Sequence, residues 1–204
     1  MAAPAAALPA PRVLADLIPG AGSRAATVAR EAVLVLGGAA LTGASAQVAI
    51  TIPQITPVPF VLTTFTVLLL GAAYGPARAG ATMAVYLVAG MAGVPWFTEG
   101  GSGYGFPSFG YIIGFLVAAV LVGWLAKRGA DRTFLNTVGL MVMANLVMYA
   151  FGAPYLAWSL GLDTATTIEQ GISPFMIGDF IKLFAAAAVL PGAWWAVNKF
   201  RSQH

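Results

Sequence analysis

The chain has 204 residues, of which 59% are hydrophobic and only 8% charged, with a formal net charge of +3. So few charges cannot clothe a soluble domain of this length, and so much apolar matter cannot hide in one core, which makes the chain an integral membrane protein. The absence of cysteine excludes a disulfide framework and a thiolate metal site, and the single histidine, His204, is the last residue.

The first 29 residues are rich in Ala and Pro and contain no compact apolar stretch beside a cleavage site. They read as a loose cytoplasmic tail, not a secretory signal, and residues 30–204 read as one membrane domain. Within it, apolar runs of about 20 residues recur, each long enough to cross about 30 Å of hydrocarbon as a helix, whereas a barrel would show short alternating segments. Six crossings are expected, at about 30–50, 60–74, 77–94, 109–127, 134–160 and 174–197. The fold class is therefore all-α, a single bundle of six transmembrane helices. The second run is short, and Gly75-Pro76 divides it from the third with Arg78 just beyond, which would also fit one bent hairpin at a membrane surface; two separate helices are the preferred reading.

Charge placement tests that count. With both termini cytoplasmic, Arg12, Arg24, Arg30, Arg78, Lys127, Arg128, Arg132, Lys199 and Arg201 all fall on the inner side. The outer connections carry Glu99, Asp163 and Glu169 and no Lys or Arg, and an odd number of spans would scatter the basic residues over both faces. The positive balance then records membrane orientation and not affinity for nucleic acid, because the basic residues are dispersed and no aromatic stripe accompanies them.

Three outer segments concentrate polar and backbone-exposing residues. Segment 51–59 holds Pro53, Pro57 and Pro59, which stiffen it as a lid or end a helix in a turn. Segment 95–111 sets Gly100, Gly101, Gly103 and Gly105 among six aromatic residues; the glycines allow close backbone approach, and the rings can stack on a flat ligand or form an interfacial belt. Its residues expected near a ligand are Trp96, Phe97, Gly100, Gly101 and Tyr104, followed by Ser108 and Tyr111. The third segment begins the last span with Pro174 and carries Asp179 and Lys182, three apart and on one helical face. Charges at that depth are costly, so a carboxylate acceptor and an ammonium donor there are read as a grip on a polar group such as a urea or amide; an internal ion pair that fixes packing is the plainer alternative.

These residues resemble the BioY family, the biotin-binding membrane subunits (S components) of energy-coupling factor (ECF) transporters. The likeness runs from the first helix to the sixth, on Pro57-Val58-Pro59, the stretch from Tyr86 to Pro95, Gly100-Gly101, the stretch from Pro107 to Phe115, and that from Pro174 to Lys182. The resemblance implies capture of biotin at the outer face of a bacterial plasma membrane and delivery inward with a transmembrane coupling subunit and two cytoplasmic ATPases. It also implies that Asp179 and Lys182 hold the ureido ring of biotin. The Ala-x-x-x-Ala face that the family presents to the coupling subunit matches Ala40 and Ala44, although Ala39 with Gly43 and Thr42 with Ala46 have the same spacing. Small residues at that spacing let helices approach closely in lipid, and packing within the chain's own bundle would use them equally. The chain departs from the family's Pro-Val-Pro-x-Thr-x-Gln-Thr in having Val61 and Thr63, of which Thr63 is still expected among the ligand-binding residues, and from its Gly-Pro-Thr in having Phe106 before Pro107-Ser108.

Other classes fit less well. No Gly-x-x-x-x-Gly-Lys-Ser/Thr loop is present to hold a nucleotide, and no cofactor is called for. A stand-alone permease or channel would need a polar path, yet only Gln47, Asn136, Asn145 and a few hydroxyls accompany the charged pair. An enzyme would need a nucleophile with its base or a metal cluster, and the spans hold no His, Cys or paired carboxylates, so no catalytic residue is assigned. A cationic vitamin would ask for an aromatic cage with more acid than Glu99, which leaves the bicyclic urea as the better match.

Overall fold

A computed structural model of the chain describes residues 13–18 and 22–202. Arg12, His204 and the first part of the N-terminal stretch lie outside the described residues. Seven helices follow in order: α1 Arg24–Ala46, α2 Thr63–Tyr74, α3 Pro76–Met91, α4 Phe109–Ala126, α5 Phe134–Leu160, α6 Thr164–Gly171 and α7 Met176–Arg201. The stretches Arg24–Ala46, Phe109–Ala126, Phe134–Leu160 and Thr164–Arg201 are long and apolar enough to cross a membrane, while α2 and α3, with 12 and 16 residues, are shorter. Six of the seven helices match the expected spans; α6 is an additional short helix of 8 residues.

Local chemistry explains where the boundaries depart from those expected. Helix α1 begins at Arg24, six residues early, because Ser23 caps it: its hydroxyl accepts the Ala26 N–H at 3.2 Å. Helix α2 begins at Thr63 and not at Phe60, because Phe60–Val61 (β2) pairs antiparallel with Ala49–Ile50 (β1), matching Ile50 to Phe60 and Ala49 to Val61. Helix α2 ends at Gly75, whose φ of 76° suits glycine alone, and Pro76 starts α3 where its missing N–H costs nothing. The chain is thus two helices here, with a sharp corner between them.

Helix α4 sits in the middle, against α2, α3 and α5, while α5 also packs on α7, and α1 on α3. Contacts gather the chain's connections at two opposite ends. At one end Arg78 of α3 pairs with Glu31 at 2.6 Å and with Asp16 at 3.1 Å, and the Trp194 indole N–H donates to Asp131 at 2.6 Å. Burial pushes the Asp131 carboxyl above the usual carboxylate range. The 3-10 turn Leu14–Leu17 belongs to this end, with the preceding Val13 completely buried beside Gly75, so this part of the N-terminal stretch is seated on the bundle.

At the other end the three outer segments are knitted together. Gln47 donates to the carbonyls of Trp96 and Phe97 at 3.2 and 3.0 Å and accepts the Gly100 N–H at 3.0 Å. Thr51 donates to Glu99 at 2.6 Å, Thr56 to the Gln170 carbonyl at 2.6 Å, and Tyr111 to the Gly171 carbonyl at 2.6 Å. Helix α6 is thereby a brace, fastened through its last two carbonyls.

That brace depends on its cap. Asp163 accepts the Thr166 N–H at 2.7 Å, and this backbone bond holds its carboxyl below the usual range. A depressed carboxyl stabilises the fold above its unfolded pKa and loses that contribution as pH falls through the folded one. Asp163→Ala is therefore expected to lower the melting temperature in detergent at neutral pH. The difference from wild type should close as the solution is acidified below the ordinary Asp range; a gap that persists there would show the carboxylate is not the stabilising species.

Candidate functional site

The braced end encloses about 640 Å3 of space unoccupied by protein atoms, part of it open to solvent. Its walls come from the segment after β1, the N-terminal parts of α2 and α4, the middle of α5 and the start of α7.

Asp179 and Lys182 both line it. Their pairing, Nζ to Oδ1 at 3.3 Å, follows from the i,i+3 spacing on α7, and their side chains are 12% and 23% exposed. Two further groups complete the arrangement. Lys182 Nζ donates to Thr64 Oγ1 at 2.9 Å, and the Tyr149 hydroxyl donates to Asp179 Oδ2. Each charged group thus has one neutral partner from another helix, α2 or α5, which fixes its orientation towards the cavity. Such a pair can accept N–H groups at the carboxylate and donate to a carbonyl oxygen from the ammonium.

Thr63, Ser108 and Tyr111 of the expected set also line the cavity. Thr63 matters because it stands where the family pattern has Gln: its hydroxyl is buried without a protein partner and borders the same space. A polar atom in that position is available to a ligand or to water.

The remaining expected residues lie elsewhere. Phe97 is 1% exposed and packs into the core on Tyr86 and Gly90, where any side chain at position 90 would collide with its ring. Trp96 donates from its indole to the Tyr86 carbonyl at 2.9 Å and stacks near that ring at 5.4 Å. Gly100 and Gly101 shape the turn through their bonds to Gln47 and Phe97, and Tyr104 is 75% exposed. Trp96, Phe97 and the glycines at 100 and 101 fasten the loop to α1 and α3, and the segment's cavity contacts are Thr98, Ser108 and Tyr111.

Sequence reasoning missed Thr64, Tyr149, Phe115, Met148 and Phe175 as lining residues, and left Asn145 as a stray polar group. Asn145 and Tyr149 are four apart on α5 and so share a face, which was a usable signal. On α1 the alternatives separate: Ala39, Thr42, Gly43 and Ala46 are buried against the chain's own bundle, whereas Ala40 and Ala44 are exposed.

A bundle of apolar helices with a cavity at one end, lined by an acid and a base from its last helix, defines the class. The chain belongs to the BioY family, whose model matches residues 19–199. A probable biotin transporter BioY of Pyrococcus horikoshii is 34% identical over 165 residues, 79% of this chain and 93% of that protein. A putative biotin transporter BioYB of Bacillus subtilis is 29% identical over 172 residues, covering 81% and 85%. The fold is shared with the crystal structure of an S-component for biotin from an ECF-type ABC transporter, with a TM-score of 0.74 and 20% identity over 85% of this chain and 94% of that one.

Proposed function

We propose that the chain is the membrane subunit that captures biotin for uptake, is not an enzyme, and delivers its ligand inward together with a transmembrane coupling subunit and two ATPases. In this reading both termini face the cytoplasm, in accord with the basic residues at the end opposite the cavity, and the plasma membrane is the site of action. The observation that carries it is the meeting of Asp179, Lys182, Thr64 and Tyr149 at the cavity wall. The ureido ring of biotin has two N–H donors and one carbonyl acceptor, which suit a carboxylate and an ammonium or hydroxyl held side by side. Its thioether ring suits the apolar walls of Ile112, Phe115 and Phe175, and its carboxylate can remain near the mouth and water. The exposed Ala40 and Ala44 are the small-residue pair available to a coupling subunit.

Calorimetric titration of the purified chain with biotin, thiamin and riboflavin tests the ligand. Biotin alone is expected to bind tightly; equal binding of thiamin would replace the urea with a cation as the natural guest. Vesicles carrying the chain alone should accumulate no biotin against a gradient until the coupling and ATPase subunits are added. Uptake without them would make the chain a stand-alone permease.

A further inference from the structure

The ligand cavity shares part of its wall with a second space. Asn145, Tyr149 and Asp179 line both. The second space is a crevice between α5 and α7, bounded on its outer side by Leu146, Met176 and Phe180 among others. Those three side chains are 62%, 48% and 52% exposed, and on helices of membrane-crossing length such exposure is to hydrocarbon. The partition between crevice and cavity is one layer of side chains, and the Tyr149 hydroxyl on Asp179 ties its two helices together.

We propose that this crevice is a lipid-side entrance to the ligand cavity, occupied in the bilayer by one phospholipid acyl chain that ends against Tyr149. Hydrocarbon is the occupant because the leucine, methionine and phenylalanine of its outer part offer a polar solute no hydrogen bond before the inner wall of Asn145, Tyr149 and Asp179 is reached, and acyl chains are what the bilayer presents there. The entrance deepens the reading of Asp179 as a ligand contact: that residue then borders both the ligand cavity and a crevice facing the membrane interior. Tyr149 is on this account a positioning residue, since it acts on the ligand through Asp179.

Dicyclohexylcarbodiimide, an apolar carboxyl reagent that partitions into hydrocarbon, tests the entrance on the full chain in phosphatidylcholine vesicles. The Asp179 carboxyl adds across one C=N bond, its oxygen to carbon and its proton to nitrogen, giving an O-acylisourea. This either rearranges to an N-acylurea that keeps the reagent or is attacked by Lys182 Nζ, 3.3 Å from the carboxylate. The attack forms an amide, expels dicyclohexylurea and leaves the protein one water lighter, so peptide mass spectrometry counts both products.

Asp179 is expected to react from the lipid phase, severalfold faster in Tyr149→Phe, which loses the tie but keeps the ring. The reaction should be severalfold slower in Leu146→Trp, which fills the crevice, and faster in Phe180→Ala, which widens it. A water-soluble carbodiimide should reach Asp179 through the cavity mouth at the same rate in wild type and Leu146→Trp, which checks that the variant is folded. Native mass spectrometry from phosphatidylcholine nanodiscs should find one retained phospholipid on wild type and none on Leu146→Trp. Equal lipid-phase labelling of wild type, Leu146→Trp and Phe180→Ala would overturn the entrance, and equal lipid retention would overturn the acyl chain as its occupant. Biotin titration of the same samples separates the two readings: wild type that fails to bind biotin sinks the proposed function and leaves the labelling comparison to decide the entrance.

Discussion

Asp179→Asn and Lys182→Met are each expected to weaken biotin binding by at least about 2 kcal/mol, roughly thirtyfold in dissociation constant. The size follows from position. An i,i+3 pair on an exposed helix face would contribute only about 0.2–0.5 kcal/mol. Here the side chains are 12% and 23% exposed and border a cavity within a membrane bundle, where the effective dielectric is well below that of water. With Lys182 shortened to Met, Asp179 keeps the Tyr149 hydroxyl but loses its cation; with Asp179 made amide, Lys182 keeps Thr64 and loses its anion. Either variant also removes a group that faces the ureido ring. The double variant should bind biotin more strongly than the sum of the two losses implies, because the second change no longer strands a charge. Melting temperature discriminates the plainer role. If the pair only fixes the packing of α7 on α2 and α5, both variants will melt earlier while biotin affinity in the surviving folded protein stays at the wild-type value, and that result would remove the pair from the ligand site.

Asp179 and Lys182 were legible in the amino-acid sequence because charge inside hydrocarbon is costly enough to demand a reason. The six spans were legible for the related reason that backbone groups in lipid must be satisfied within helices of fixed length. Trp96 and Phe97 show where such reasoning runs out. Rings among glycines have one composition whether they stack on a ligand or on the protein, and only the burial of Phe97 over Gly90 decides between these uses. Tyr149 was hidden because a tyrosine in an apolar span looks like an interfacial residue until its hydroxyl is seen on Asp179. Helix α6 left a fainter mark: Asp163 ahead of a Thr-rich stretch is a capping signal, but 8 residues with little apolar content fall below any span criterion. The split of small residues on α1 into a buried and an exposed set also needed the neighbours, since both sets have the same spacing.

Gly152→Val is expected to destabilise the bundle by about 1–3 kcal/mol and to weaken biotin binding with it. Gly152 lies on α5 facing α4, and a Cβ there would stand 2.2 Å from the ring of Tyr111. Tyr111 has little freedom to yield. It is 8% exposed, its hydroxyl donates to the Gly171 carbonyl at 2.6 Å, and a Cβ at Gly171 would in turn lie 2.9 Å from that hydroxyl. A side chain at position 152 therefore either spreads α4 from α5, at about 1–3 kcal/mol for overpacking, or expels the ring and forfeits a hydrogen bond of about 1 kcal/mol. Both routes disturb the cavity, because Tyr111 lines it and ties α6 to α4. Gly139 on α5 and Gly192 on α7 provide the control: nothing lies within 4 Å of a Cβ at either position. Alanine there should be neutral or stabilising by up to about 1 kcal/mol through helix propensity. Thermal melts and biotin titrations of the three variants side by side give the test. Should Gly152→Val melt with Gly139→Ala and bind biotin as wild type does, the close approach of α4 and α5 is not what seats Tyr111 at the cavity.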